Sequence, residues 1–377
     1  MDSRHIIYQL GEEFETDAIP GSPPIHQTSN YLFNSVKGMQ AALREEHGLP
    51  FYTRGTNPTV QLLSKKIAAL ESMEDALVFG SGSAAISSAL LSFLKAGDHV
   101  VCTASPYSWT GKLMRNWLSR FQVAVDFFGP EDDLKQALKS NTRLIYLESP
   151  NSWTFEAYDL QTVGQLARKM GILTILDNSY ATPLLQRPAE ASIDLVVHSA
   201  TKYLGGHSDL VAGVVCGSTA HITTIFKEAY MTLGGIISPN DAWLLLRSLR
   251  TLPQRLEAIQ KSTKSIMGFL LEHPVIQKVH YPQSPSQSLK DMSGLFTIDL
   301  KTDDTQKVEQ FCDAFKVFKL GPSWGSFHSL IFPAITTINS MNYHAEDTVA
   351  GRIRISIGLE DETVLIEDLS NALDLLS

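Results

Sequence analysis

Short apolar runs alternate with helical patterns through the middle of the chain. Between the runs, apolar residues recur at helical spacing, as after Asn57-Pro58 and between Asp159 and Gly171, which suit the two ends of a helix. The runs are bounded by polar or small residues and predict buried strands at 76–79, 98–102, 143–147, 172–176 and 194–198. We therefore predict an α/β fold, with a mostly parallel sheet that carries helices on both faces.

The two ends of the chain follow different patterns. Residues 1–50 are irregular, and prolines close to residue 20 exclude a continuous helix, which predicts an extended N-terminal arm. From Asp241 the pattern changes to longer helices, so we place a domain boundary there. The expected units are a large domain over 51–240 and a smaller C-terminal α/β domain over 241–377, with a loop from Pro282 to Ser288.

Composition narrows the class of protein. The 377 residues carry a net charge of -9 without a basic run, which argues against a nucleic-acid surface. Cys102, Cys216 and Cys312 are odd in number and far apart, so they indicate neither a disulfide framework nor a metal site. The first residues lack the apolar core of a signal peptide, and the long uncharged stretch 76–94 contains glycines and serines. We expect a cytoplasmic protein without a membrane span.

Two polar residues come directly after predicted strands. Lys202 lies in S-A-T-K-Y beyond the strand at 194–198, and Asp177 follows the strand at 172–176. Open α/β sheets bind their ligands at these carboxyl ends. An amine there can form a Schiff base, and a buried carboxylate needs a cationic partner. A solvated lysine and an aspartate that caps the next turn are the alternatives.

Other segments suit anions. Gly80-Ser81-Gly82-Ser83 separates a predicted strand from a helix and could cradle a phosphate on backbone N–H groups, although such turns also occur without a ligand. Arg354 lies on the alternating strand 352–357 and could hold a carboxylate, or face solvent. Tyr52 and Arg54 would point the same way in an extended segment, or belong to a surface loop. Histidine spacing predicts no metal site.

The order of these segments resembles a known family. The matching stretches are Y-T-R-G-T-N-P-T, G-S-G-S-A-A, the loop at Tyr107, L-E-S-P, D-N-S-Y-A-T-P, H-S-A-T-K-Y-L-G-G-H-S-D, L-R-T-L and R-I-R-I-S-I-G-L-E-D. Together they are similar to the pyridoxal-phosphate enzymes of transsulfuration, the cystathionine γ-synthases, γ-lyases and β-lyases of fold type I. The resemblance extends over nearly the whole chain.

The resemblance implies a role for each matched residue at the cofactor. Lys202 would hold pyridoxal 5'-phosphate through a Schiff base and move protons at the substrate α-carbon, while Asp177 would pair with the pyridinium nitrogen. Tyr107 would stack on the ring and is expected, with Lys202, to be a catalytic residue. The phosphate would be bound by the amides of Gly82 and Ser83 and by the hydroxyls of Ser199 and Thr201.

The resemblance also implies residues for the substrate and for a neighbouring subunit. Arg354 would bind the substrate α-carboxylate, and Ser323 and Trp324 would be further substrate-binding residues. Tyr52 and Arg54 would reach the cofactor phosphate of a second subunit, in a homotetramer built from dimers that share active sites.

Two places favour the β-lyase branch of this family. Trp324 stands in P-S-W-G where the γ-enzymes usually have leucine, and the loop E-S-P-N-S-W is similar to the β-lyase form. The expected activity is β-elimination of L-cystathionine, a small sulfur-containing amino acid, to homocysteine, pyruvate and ammonia. Alternatives are γ-replacement on an O-acylhomoserine, a cystathionine or methionine γ-lyase, and more remotely a binding protein without catalysis.

Overall fold

The chain folds around two β-sheets. A computed structural model describes residues 2–13, 20–282, 288–338, 340 and 349–376, so most of the predicted loop 282–288 lies outside the described residues. The strands are β1 (Asp75–Phe79), β2 (His99–Thr103), β3 (Ala124–Phe128), β4 (Thr142–Glu148), β5 (Leu173–Asp177), β6 (Leu195–Ser199), β7 (Gly213–Gly217), β8 (Ile276–His280), β9 (Leu295–Leu300), β10 (Lys319–Leu320), β11 (Leu330–Pro333) and β12 (Arg352–Ser356).

Helices connect and cover these strands. They are α1 (Ser3–Tyr8), α2 (Val36–Arg44), α3 (Pro58–Leu70), α4 (Gly82–Leu91), α5 (Ser108–Lys112), α6 (Leu134–Ala137), α7 (Leu160–Met170), α8 (Thr182–Leu185), α9 (Thr219–Ile225), α10 (Met231–Leu233), α11 (Pro239–Leu249), α12 (Leu252–Leu271), α13 (Thr305–Asp313) and α14 (Glu362–Leu373). The predicted helix ends are confirmed: Asn57 accepts a hydrogen bond from the Thr59 amide, Asp159 accepts one from Thr162, and Gly171 adopts φ 66°.

The larger sheet has the strand order β1-β7-β6-β5-β4-β2-β3 in the described part of the chain. All neighbouring strands pair in parallel, except that β7 is antiparallel to both β1 and β6. This confirms the mostly parallel α/β sheet and the five predicted strands. The sequence pattern missed β3, whose residues are mostly half-exposed, and β7, a five-residue strand that begins and ends with glycine.

Both faces of this sheet are buried. Val78 on β1 and Val196 on β6 point into a core that includes residues of α3, α11 and α12, whereas their neighbours Leu77 and Val197 point into a core on the α4 side. Side chains on a strand alternate between faces, so this split shows that apolar layers cover the sheet on both sides. Because both faces are covered, loops and polar side chains lie at the carboxyl ends of the parallel strands.

The second sheet is mostly antiparallel, with the order β10-β11-β12-β9-β8. Arg352 on β12 pairs with Asp299 on β9 through two hydrogen bonds of 2.8 and 3.0 Å. His280 on β8 contacts the same carboxylate at 2.7 Å. This charged row ties three adjacent strands together, and β12 also carries Arg354.

The first fifty residues are not a featureless arm, so the extended reading was too simple. Ile6 and Ile7 of α1 are each 1% exposed and belong to the main core, and α2 is a helix that the irregular pattern did not predict. The buried Lys66 ammonium on α3 donates to the carbonyls of Ile6 and Ile7, both at 3.0 Å. These bonds satisfy carbonyl groups at the end of a helix too short to be stable alone.

The helices and the cysteines also show whether the described chain has a membrane span or disulfides. Within the described ranges, no helix combines the length and apolar character needed to cross a membrane. The three cysteines are buried and carry free thiols.

The Asp299 ion pair predicts a pH-dependent contribution to stability. Burial alone would raise the pKa of Asp299, but hydrogen bonds from His280 and Arg352 outweigh burial and hold that pKa well below its ordinary value. A carboxylate whose pKa is lower in the folded than in the unfolded state stabilises the fold fully above its unfolded pKa of about 4. This contribution is lost as the pH falls from there through the folded-state pKa. Asp299→Asn should therefore cost about 2 kcal/mol near neutral pH.

The measurement is thermal unfolding of Asp299→Asn across pH, with Asp303→Asn, an exposed carboxylate on the following loop, as the control. The deficit of Asp299→Asn should shrink as the pH falls below about 4. A deficit that stays the same at acid and neutral pH would contradict this account of the ion pair.

Candidate active site

Three neighbouring strands end in polar residues at one edge of the larger sheet. Glu148 is the last residue of β4 and lies directly beside Asp177, the last residue of β5. Next to them β6 ends at Ser199, and the following turn carries Lys202. The predicted lysine and aspartate therefore belong to adjacent strand ends, as parallel topology requires.

Lys202 is held at a defined place. Its Nζ donates to Ser323 Oγ at 3.1 Å and lies 5.5 Å from the centre of the Trp324 ring. Burial, together with the positive charge of Arg354, lowers the pKa of Lys202 to about 8. An amine with such a pKa loses its proton more readily than an ordinary lysine, and the neutral form is what a nucleophile or a general base needs.

Asp177 is a buried carboxylate without an ion-pair partner in the described part of the chain. It accepts a hydrogen bond from the Ser179 amide at 2.9 Å. Burial raises the pKa of Asp177, although hydrogen bonds from Ser179 and the charges of His198 and Lys202 act in the opposite direction. A cationic ligand group placed against this carboxylate would recover the lost solvation energy.

Glu148 is a functional candidate that the sequence analysis did not single out. Its buried carboxylate accepts hydrogen bonds from the Tyr107 amide at 2.5 Å and from the Ser152 amide at 3.1 Å. Burial and the nearby Asp177 raise the pKa of Glu148. The signal was available, because Glu148 follows an apolar strand just as Asp177 does. By accepting both amides, Glu148 links the loop at Tyr107 to the loop that follows β4.

The start of α4 forms a small anion cradle. Ser81 Oγ accepts the Ala84 amide at 3.1 Å, and within the described chain no acceptor reaches the amides of Gly82 and Ser83. A Cβ at Gly82 would lie 3.0 Å from Ser199 Cβ, so the absence of a side chain lets the helix start approach the end of β6. The Ser199 hydroxyl oxygen lies 3.2 Å from the same point, so it is close to the start of α4, where an anion can be bound.

Thr201 fits this cradle less directly than the resemblance implies. Its hydroxyl donates to the Ala212 carbonyl at 3.2 Å and accepts the Ala212 amide at 3.0 Å. A hydroxyl has one proton to donate, and here that proton already has an acceptor. Binding of a phosphate by Thr201 stays a prediction that requires this bond to be exchanged.

Arg354 differs from its neighbour Arg352 although both lie on the same face of β12. Arg352 pairs with Asp299, whereas Arg354 donates to the backbone carbonyls of Ser152 at 3.3 Å and Pro322 at 3.1 Å. Among the described residues no carboxylate forms an ion pair with Arg354, and burial lowers its pKa to about 10. The guanidinium remains charged at neutral pH and suits an anionic ligand group.

The aromatic candidates take different positions. Tyr107 is 44% exposed, and burial of its phenol raises its pKa, so the hydroxyl stays protonated near neutral pH. Trp324 is only 6% exposed and packs edge-on against Tyr203, with ring centres 5.5 Å apart. The Trp324 ring therefore contacts Lys202 and the core, and presents little surface to a substrate.

Tyr52 and Arg54 lie apart from these residues. The segment is a turn rather than an extended strand, because the Gly55 amide donates to the Tyr52 carbonyl at 2.8 Å. The Arg54 guanidinium still lies 5.8 Å from the centre of the Tyr52 ring, and both side chains are exposed. In the described chain no hydrogen bond, ion pair or ring contact joins either residue to Lys202 or Arg354.

The arrangement fits pyridoxal 5'-phosphate. The buried carboxylate of Asp177 suits a pyridinium nitrogen, and the amides of Gly82 and Ser83 suit a phosphate. Lys202, with its lowered pKa, suits an aldehyde carbon.

Comparison with known proteins supports the same assignment. Residues 6–374 match the family model described as Cys/Met metabolism PLP-dependent enzyme. The chain is 36% identical to an L-methionine γ-lyase of Fusobacterium nucleatum, over 93% of both chains, and 35% identical to a cystathionine β-lyase of Lactococcus lactis, over 95% of this chain and 96% of that one.

A solved structure agrees closely with the fold. The putative O-acetylhomoserine (thiol)-lyase of Campylobacter jejuni, solved with N'-pyridoxyl-lysine-5'-monophosphate, superposes with a TM-score of 0.92 at 26% identity, over 99% of this chain and 100% of that one. The fold is thus the PLP-dependent fold type I. By sequence and by structure, this chain belongs to the family of Cys/Met metabolism PLP-dependent enzymes.

Proposed function

We propose that this enzyme cleaves L-cystathionine by β-elimination, with water, to homocysteine, pyruvate and ammonia. The comparisons support a PLP-dependent enzyme of cysteine and methionine metabolism, and identities of 36% to a γ-lyase and 35% to a β-lyase do not separate the two reactions. The observation that carries the proposal is the position of Lys202, held between the Ser323 hydroxyl and the Trp324 ring.

Each residue of the site has a distinct task in this reaction. Asp177 would hold pyridoxal phosphate by its ring nitrogen, and the bound cofactor would supply an electron sink for negative charge at the substrate α-carbon. Arg354 would bind the α-carboxylate and restrict rotation about the α-carbon, which would orient the Cβ–S bond for cleavage. Neutral Lys202 removes the α-proton and can return a proton to the departing thiolate.

The environment of Lys202 favours the β-reaction over the γ-reaction. Both begin with loss of the α-proton, but γ-elimination also needs a proton removed from the β-carbon. The Ser323 hydroxyl and the Trp324 ring restrict the reach of the Lys202 ammonium, and an aromatic face stabilises its charged form. A lysine restricted in this way is better suited to removing one proton from the α-carbon than to removing protons from the α-carbon and then the β-carbon.

The assembly and location are also part of the proposal. Tyr52 and Arg54 are exposed and make no contact with Lys202 or Arg354 in the described chain, which supports a shared site completed by a second subunit in a homotetramer. Three free buried thiols suit a reducing compartment, and we infer a cytoplasmic enzyme. We retain a large domain over 51–240 and a small domain over 241–377, each containing one of the two sheets.

The reaction is tested by product analysis with L-cystathionine. We expect pyruvate and homocysteine in equal amounts and little 2-oxobutyrate, because the sulfur leaves from the β-carbon. Lys202→Ala should lose nearly all turnover, whereas Lys307→Ala, on the exposed side of α13, should keep it. Dominant 2-oxobutyrate, or faster cystathionine synthesis from a homoserine ester and cysteine, would overturn the β-lyase proposal and leave the family assignment standing.

The shared site is tested with mixed oligomers. Arg54→Ala and Lys202→Ala should each be weakly active as homomers, because each lacks one part of every site. Mixed oligomers should regain part of the turnover, since some sites then combine an intact Arg54 from one subunit with an intact Lys202 from the other. Absence of recovery in oligomers shown to contain both variants would count against the shared site.

A further inference from the structure

The guanidinium of Arg354 rests against two aromatic rings. Its Cζ lies 5.3 Å from the centre of the Trp153 ring and 5.2 Å from that of Phe332. The two rings lie beside each other, with centres 5.8 Å apart and planes inclined by 31°. They form one aromatic wall, consisting of Trp153 and Phe332, along the positive charge.

The backbone fixes both members of this aromatic wall. Phe332 on β11 is the cross-strand partner of Arg354 on β12, so the two side chains share one face of the sheet. Trp153 lies in the loop after β4, and the buried Asn151 Oδ1 accepts the amides of Trp153, Thr154 and Phe155 at 3.0, 2.8 and 3.0 Å. The loop is thereby held rigid at the point where Trp153 meets the arginine.

This wall stabilises the charge without using the N–H groups of Arg354. A guanidinium has five N–H donors in its plane, and two of them bond to the carbonyls of Ser152 and Pro322. Aromatic faces attract the cation by their quadrupoles and leave the remaining donors available. A carboxylate neighbour, such as Asp299 is for Arg352, would occupy two donors and compete with a ligand.

The geometry points to Trp153 and Phe332 as positioning residues for Arg354: their ring faces hold the guanidinium so that its remaining N–H groups meet the α-carboxylate of an amino acid. The inference rests on the proposed function, in which Arg354 binds that carboxylate. It adds residues that select for the free carboxylate and that touch no reacting atom.

Loss of one ring face should weaken carboxylate binding about tenfold, in the range expected for a partly desolvated cation–π contact. Phe332→Leu and Trp153→Leu remove the aromatic face and keep an apolar side chain. Phe332→Tyr and Trp153→Phe keep the face and should bind nearly as well as the wild type. With cystathionine, the leucine variants should raise KM with little change in kcat, because Arg354 binds the α-carboxylate equally in the bound substrate and in the transition state.

The experiment measures binding of glycine and of glycinamide to the holoenzyme by calorimetry. Glycine carries the α-carboxylate, and glycinamide keeps the amine without it. Both leucine variants should lose affinity for glycine and keep the wild-type affinity for glycinamide. Phe327→Leu is the matched control, since this ring is exposed and contacts His328 rather than an arginine. Thermal unfolding of each variant checks the fold.

The outcomes separate this inference from the proposed function. If Arg354→Ala binds glycine as the wild type does, the carboxylate role of Arg354 fails, and the inference fails with it. If Arg354→Ala loses glycine binding but both leucine variants keep it, only the positioning role is overturned. Equal losses for glycine and glycinamide in the leucine variants would also overturn it, because they would indicate a general distortion of the site.

Discussion

Two buried carboxylates end adjacent parallel strands. Glu148 and Asp177 are neighbours in the β4–β5 register, so their negative charges repel each other and lack full solvation. Glu148 receives two amide hydrogen bonds, whereas Asp177 receives one. A cation beside Asp177 would remove this cost, and we propose that the pyridinium of the family's cofactor is that cation.

Positive groups surround this acidic pair without neutralising it. Lys202 has Ser323 as its hydrogen-bond partner, and Arg354 is held by carbonyl groups and aromatic rings. Arg354 stays free of a carboxylate partner among the described residues because Asp299, on the second sheet, pairs with Arg352 instead. One strand thus carries Arg352, which pairs with a carboxylate of the fold, and Arg354, which we propose binds the substrate.

Sequence patterns predicted the parts of this structure that depend on burial and strand order. The parallel strands, the helix starts at Asn57 and Asp159 and the strand-end positions of Asp177 and Lys202 follow from periodicity and topology alone. The helix α1 was missed because its stability comes from Lys66 and the core rather than from local pattern. The commitment of the Thr201 hydroxyl to Ala212 and the packing of Trp324 on Tyr203 join residues distant in sequence, which no local pattern encodes.

The most direct test of this account is the stability of Asp177→Asn with and without pyridoxal phosphate, measured by thermal unfolding beside Asp303→Asn. A buried charge without a partner is costly, so the apo form of Asp177→Asn should be at least as stable as the apo wild type. Added cofactor should raise the unfolding temperature of the wild type and of Asp303→Asn much more than that of Asp177→Asn. An apo variant that is clearly less stable, with an undiminished response to the cofactor, would contradict the central role of Asp177.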